Sequence, residues 1–265
     1  EFNFGEAGRL IHDFIWDELA DWYVEAYKVL ASSGRADGAL LARVYEKTLR
    51  LLHPFAPFVT EELWQRLTTG IADRPVAIML AEWPRAVEAR DAAAEDEWGD
   101  IMALTRAART LRNEYHIEPT RVVSASILTR SADAAAFWTA NADLVGALPG
   151  MRLDPIQVID AADGATTDLA SRSIAAVAGG AELLVPAEGL FDVQTELARA
   201  RTELTDAEKQ VHRLEGLLGG EFSRKAPPET VERERERLVE QRERLETLQR
   251  RLETLNRLAG GDASQ

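Results

Sequence analysis

Cysteine is absent from the 265 residues. That rules out disulfides and thiolate metal sites and agrees with a cytoplasmic protein. No apolar run approaches the roughly 18 residues of a membrane span. The amino terminus lacks the basic start and apolar centre of a signal peptide. A chain that begins at Glu1 without Met is expected to be a piece of something longer. The stretch from about 95 to 187 also lacks a Gly-rich phosphate loop, a Ser/His/Asp set and a cluster of metal ligands. The expectation is therefore no catalytic residue, no metal site and no cofactor within this chain. Positive charge is in short supply: 31 Lys+Arg stand against 45 Asp+Glu, a net charge of −14. An acidic protein repels phosphate, but the deficit is local. Residues 195–260 carry 14 Lys+Arg and 14 Asp+Glu, whereas residues 1–194 carry 17 and 30. Screening over about 8 Å at physiological salt lets a neutral segment act independently of an acidic body. A broadly basic footprint is excluded; RNA binding by a distinct part of the chain is not.

What is present is helical periodicity. With 46% hydrophobic and 29% charged residues, the chain can build a core and more than one domain. Phe4, Ala7, Ile11, Phe14, Ile15, Leu19, Trp22, Ala26 and Val29 repeat at helical spacing and predict a long helix over 3–31. Ser32-Ser33-Gly34 ends it, and Asp37 can cap the next helix. That second helix stops at about His53, because Pro54 and Pro57 each lack an amide donor. A third begins near Pro57, where a fixed φ suits a first turn. Val76–Trp83 reads as a short extended segment. Residues 94–116 return to helix and carry Arg106, Arg109 and Arg112 every three residues. Those arginines can track phosphates or pair with the carboxylates of the acidic body; the residues alone leave both open. His53 beside Glu61 and Glu62 is read as a structural corner residue.

Past residue 120 the period shortens. Val122–Thr129 and Met151–Ile159 read as strands, the second at a sheet edge because of Pro155. Ser131 opens a helix between them. Ser173–Ala178 and Ala181–Val185 flank Gly179-Gly180, a hairpin turn. The last section is the most regular. Leu190, Val193, Leu197, Ala200, Leu204, Ala207, Val211, Leu214 and Leu218 alternate steps of three and four. Val231, Leu238, Leu245 and Leu252 repeat every seven, with Leu248 and Leu255 between them. These are two coiled-coil seams. Gly219-Gly220 and Pro227-Pro228 force a reversal between them, with Glu234 and Gln241 standing in apolar positions. The tip presents Phe222, Arg224 and Lys225, which suits stacking with phosphate contact or a plain hairpin cap.

Four stretches carry a family resemblance. LLHPFAPFVTEELWQRL, residues 51–67, resembles the anticodon-binding domain of class I aminoacyl-tRNA synthetases, in a run shared by valyl, isoleucyl and leucyl members. The first helix resembles that domain's opening helix at Phe14, Trp16, Asp17, Trp22, Tyr23, Glu25 and Lys28. ARTLRNEYHIEP is similar to the segment that follows the bundle in valyl-tRNA synthetases and their relatives. Phe222, Lys225, Ala226, Pro227, Val231 (displaced by one position) and Glu234 match the turn of the valyl enzymes' C-terminal coiled-coil arm, although Gly219-Gly220-Glu221 stands where Asn-Pro-Asn is usual. A cysteine-free end argues against the isoleucyl family, and the hairpin against the leucyl family.

The resemblance implies the C-terminal region of a bacterial-type valyl-tRNA synthetase. The expected fold is mainly α: a helical anticodon-binding bundle at 1–90, a small α+β subdomain at 91–189, an antiparallel coiled-coil hairpin at 190–258 and a flexible tail at 259–265. The family's enzyme activates valine with ATP and Mg and transfers it to tRNA. Its His-Ile-Gly-His-like and Lys-Met-Ser-Lys-Ser-like signatures, its nucleotide-binding fold and its editing domain are not in this sequence, so the chain is expected to be inactive alone. Its implied work is to hold a valine-accepting tRNA, the bundle at the anticodon stem-loop and the arm at the corner where the D and T loops meet. Candidate RNA-binding residues are Arg106, Arg109, Arg112, Phe222, Arg224 and Lys225. The other expected partner is the enzyme's own catalytic domain, and the chain should be a monomer. An adaptor whose seam pairs with another protein is the alternative, and it predicts a dimer.

Overall fold

A computed structural model describes residues 3–86, 90–161 and 166–262. It divides into two compact units. The first comprises residues 1–105 and 141–152; the second comprises 106–140 and 153–265.

The first unit opens with a rod of three segments. These are α1 (Phe4–Asp13), a π-helical stretch (Phe14–Val24) and α2 (Glu25–Ser32). The one helix expected over 3–31 thus contains wider i→i+5 turns, which place Leu19 and Trp22 in the interior. Trp22 meets Trp98 edge-on, centroids 6.4 Å apart. Gly34 takes φ 71°, and its N–H donates to Ala31 O while Arg35 N–H donates to Leu30 O. That is the paired closure of a helix end that favours glycine. Asp37 then caps α3 (Gly38–Leu52) by accepting from the Ala39 and Leu40 amides. Pro57 stands at the first turn of α4 (Pro57–Leu67). At the corner, Thr60 donates its hydroxyl to Ala56 O at 2.8 Å, so His53 Nδ1, 2.8 Å from Thr60 Oγ1, is the donor there. His53 braces the corner.

Leu49, Trp64 and Ile78 form the core beside that corner, with Leu67 and Ala81 packed against it. The extended segment expected at Val76–Trp83 is instead a single 3₁₀ turn, Ile78–Leu80. The cause is α4. Glu61 accepts from the Ile78 amide at 2.9 Å and Gln65 donates to Val76 O at 2.8 Å. Side chains hold backbone groups that a neighbouring strand would otherwise pair. The helix α5 (Ala92–Glu114) runs from the first unit into the second.

In the second unit a four-stranded sheet has the order β2-β1-β4-β3, made of β1 (Val123–Thr129), β2 (Leu153–Asp160), β3 (Ser173–Ala178) and β4 (Ala181–Pro186). β1 and β2 are parallel and joined through α6 (Ala132–Ala147), as a parallel pair requires. β1 and β4 pair antiparallel, and β3 and β4 form the hairpin. Gly179 and Gly180 both hold positive φ, 58° and 66°, as a two-residue turn with matching twist needs. β2, with Pro155, is an edge strand. Ile127, Leu183, Leu184 and Ile174 are fully buried in this sheet. A short α7 (Thr166–Ser171) precedes β3.

The chain then builds the hairpin from α8 (Val193–Gly219), the one-turn α9 (Phe222–Lys225) and α10 (Pro228–Asp262). At 1.5 Å per residue, α8 is about 40 Å long. Asp192 caps it by accepting from Thr195 N. Leu197, Ala200, Ala207, Val211 and Leu214 are buried against α10, where Val231, Leu248, Leu255 and Leu258 are buried. Residues 259–262, expected in a flexible tail, continue α10, because Leu255 and Leu258 are packed and carry the last turns; 263–265 lie outside the described residues. Among the described residues, no helix is long and apolar enough to cross a membrane.

Candidate nucleic-acid interface

The tip of the hairpin is built by exclusion of helix. Gly220 leaves the helical region at φ −90°, ψ −163°, and Pro227 and Pro228 cannot donate to a preceding turn. The intervening residues close one turn, with Lys225 N bonding to Glu221 O and Ala226 N to Phe222 O. This places Phe222, Arg224 and Lys225 on one short helix. Arg224 and Lys225 are exposed, whereas Phe222 is half-buried. Lys225 Nζ is paired with the Glu221 carboxylate. Both side chains are about 70% solvent-exposed, so the pair is weak and exchangeable for phosphate.

The arginine series on α5 divides. Arg106 is exposed and Arg109 half-buried. Arg112 is 5% exposed, and its Nη2 donates to Glu118 O and Arg121 O, both at 2.8 Å. Its guanidinium is a clamp on the loop after α5 and is not presented to a ligand. Arg121, held by that clamp, donates in turn to the carbonyls of Leu190 (2.8 Å) and Gly189. The α5 arginines therefore belong near the start of the arm, some 40 Å of helix from the tip by the 1.5 Å rise. The six candidates form two groups, not one surface.

The arm base holds a cluster that the sequence did not reveal. Arg251 on α10 directs Nη2 to Glu196 Oε2 at 2.5 Å and Nη1 to Glu203 Oε2 at 3.1 Å, both on α8. The Arg251 and Glu196 side chains are 5% and 7% exposed. Glu196 Oε1 also accepts from Arg199 at 2.8 Å. The Arg251 guanidinium lies 5.5 Å above the Tyr115 ring, within cation–π range, and Tyr115 stacks on Phe191 at 5.3 Å. His116 Nδ1 is 3.4 Å from both Glu196 Oε2 and Arg251 Nη2. Burial pushes the Tyr115 phenol up. It also pushes the Glu114 carboxyl up, against the pull of Arg251 and Arg250 nearby. Arg257 completes the join by donating to Ala170 O at 2.7 Å. Glu196 and Arg251 are 55 residues apart and read, in sequence, as ordinary charged flanks of two seams.

In the first unit a groove of about 500 Å³ is lined chiefly by Ile15, Leu19, Leu52, Leu63 and Leu67. Among the described residues no group of His, Asp or Glu side chains is placed to hold a metal ion.

Residues 1–127 match the family described as the anticodon-binding domain of tRNA ligase, which sets the class. Residues 192–256 match the valyl tRNA synthetase tRNA binding arm. A valine–tRNA ligase of Bacillus subtilis (strain 168) is 32% identical over 243 residues, 89% of this chain and 26% of the relative. One from Dehalococcoides mccartyi (strain CBDB1) is 34% identical over 246 residues, 90% of this chain and 27% of the relative. The chloroplastic/mitochondrial valine–tRNA ligase 2 of Arabidopsis thaliana is 34% identical over 245 residues, 89% and 24%. The chain belongs to the valyl-tRNA synthetase family, of which it carries the anticodon-binding domain and the tRNA-binding arm. It spans about a quarter of the length of these relatives.

Proposed function

We propose that this chain is the tRNA-holding C-terminal portion of a valine–tRNA ligase. It grips a valine-accepting tRNA while a catalytic portion, using ATP and Mg, activates valine and esterifies the tRNA. The bundle takes the anticodon stem-loop, where splayed single-stranded bases can be read, and the arm takes the folded corner of the tRNA by its shape. Binding energy gathered far from the reacting ester orients the acceptor end. Alone, the chain aminoacylates nothing. It acts as a monomer, a reading supported by the filling of the α8 seam by α10, and it works in the cytoplasm.

The observation that carries this reading is the pairing of an anticodon-binding domain with a hairpin whose tip exposes Arg224 and Lys225. The experiment is a salt-dependent titration of valine-accepting tRNA with the chain and with its Arg224→Ala/Lys225→Ala variant. The variant is expected to bind more weakly, with a log–log salt slope shallower by about 0.7 to 0.9 for each phosphate left without its cation. An unchanged slope removes the tip from the RNA interface. Concentration-dependent dimerisation in place of RNA binding would favour the adaptor reading.

A further inference from the structure

Three separate features meet where the arm leaves the α+β subdomain. The first is the sealed Arg251–Glu196 pair, which links α10 to α8 across 55 residues. The second is the aromatic pair beneath it, Tyr115 under Arg251 and Phe191 against Tyr115, which ties the end of α5 to the start of α8. The third is His116. It stands at φ 52°, with its N–H donating to Asn113 O and the Ile117 N–H donating to Arg112 O. That is the closing position of α5, where glycine is the usual residue. A left-handed side chain of this kind persists where its surroundings hold it, and here the ring rests against Glu196 and Arg251. Three helices thus converge on one guanidinium.

A two-helix seam of alternating leucines slides and rolls easily, because each turn resembles the next. A single buried polar contact at a seam position fixes register and direction instead. We propose that Arg251, with Glu196 and Tyr115, is a positioning residue that sets the direction in which the arm leaves the subdomain, and that tRNA affinity depends on it although it touches no RNA. The RNA half of this statement rests on the tRNA-holding reading above; the directional half does not. Arg121 and Arg257 hold the same junction through the carbonyls of Leu190 and Ala170, but neither bond joins α8 to α10, as Arg251 does through Glu196 and Glu203. With two grips on one tRNA, the second engages at an effective concentration that falls as the arm's orientations spread.

The test uses the full chain, which has no cysteine of its own. Spin labels go on Asp133→Cys and Glu208→Cys, both exposed and both in the second unit. The perturbation is Arg251→Met together with Glu196→Leu, an apolar pair that keeps the site filled and the chain folded. The label distance is expected to be narrow in the parent and broad or shifted in the variant, with the thermal midpoint retained. Affinity for valine-accepting tRNA should fall about tenfold, with the salt slope unchanged because every phosphate keeps its cation. Arg251→Lys, which keeps the charge but not the fork, should recover part of both effects. An unchanged distance distribution overturns the proposal. So does a shallower salt slope with unchanged distances, which would make Arg251 an RNA-binding residue. Broadened distances in a chain whose parent binds no tRNA would uphold the directional role and sink the tRNA-holding reading.

Discussion

Glu46 in the bundle and Glu196 at the base of the arm are both carboxylates at helix junctions, each served by an arginine with an aromatic ring close by. Glu46 accepts from Trp64 Nε1 at 3.0 Å and from Arg50 at 2.6 Å. Its arginine lies four residues away on the same helix, and both charged side chains keep about a fifth of their surface in water. Glu196 takes its main partner from a helix 55 residues on, and both side chains are sealed. A wet junction can lose a partner and substitute water. A dry one cannot, because the remaining charge has nowhere to go. The bundle is therefore held by packing that polar groups decorate, whereas the arm base is held by polar groups that packing encloses.

The sharpest way to break that contrast is Arg251→Ala. It leaves the buried Glu196 carboxylate with only its same-helix partner Arg199 and takes the cross-helix partner from Glu203, and should destabilise the second unit by about 3 kcal/mol, read from the urea midpoint. A loss below about 1 kcal/mol would mean that Glu196 reaches water and that the two junctions are alike. The matching change in the bundle is Trp64→Phe, which leaves an aromatic ring in the core, removes the bond to Glu46 and opens a small cavity where the indole was larger. Because Glu46 retains Arg50, the expected loss is about 2 kcal/mol.

Acid sensitivity should separate the two regions by sign, with smaller effects. In the bundle, the hydrogen bond from Gln65, then that from the Ile78 amide, holds the Glu61 carboxyl below the ordinary glutamate range. Its contribution is present above the unfolded value of about 4.3 and is lost as pH falls through the lower folded value. Glu61→Gln should flatten that acid limb. At the arm base, burial raises Glu114. Its folded state holds the proton more tightly than the unfolded state, so it subtracts stability as pH rises above the unfolded value. Glu114→Gln should stabilise the second unit at neutral pH and leave it unchanged well below pH 4. Urea midpoints across pH, compared between each variant and its parent, decide both.

Legibility in the sequence follows the same divide. Asp37, Gly34, Pro57 and Gly179-Gly180 act on neighbours within four residues, so their caps, turn and corner could be read directly and are found in place. The leucine spacing of α8 and α10 announced a hairpin because its period is local even though its contacts are not. What failed was whatever depended on a distant partner. Val76–Trp83 looked extended because nothing in it shows that Glu61 and Gln65 would take its backbone groups. For Arg112 the sequence leaves phosphate and carboxylate partners open and points to neither of the acceptors found, because the Glu118 and Arg121 carbonyls come from a loop whose path the helix pattern does not encode. Glu196 and Arg251 were invisible for the same reason, over a longer span. Of the six RNA candidates, the tip trio is brought together on one turn, with Phe222 more enclosed than a free stacking platform. The family motifs located that tip, since they record which residues recur there without saying how each is held.

The tRNA-holding role proposed for this chain is tested most directly by its affinity for valine-accepting tRNA beside an unrelated tRNA at one fixed, moderate salt concentration. The account predicts tighter binding to the valine-accepting molecule, with the preference carried by the bundle and the shared baseline by the arm. Equal affinity for both would contradict anticodon reading by the bundle. Binding to neither at low salt would contradict the tRNA-holding role itself.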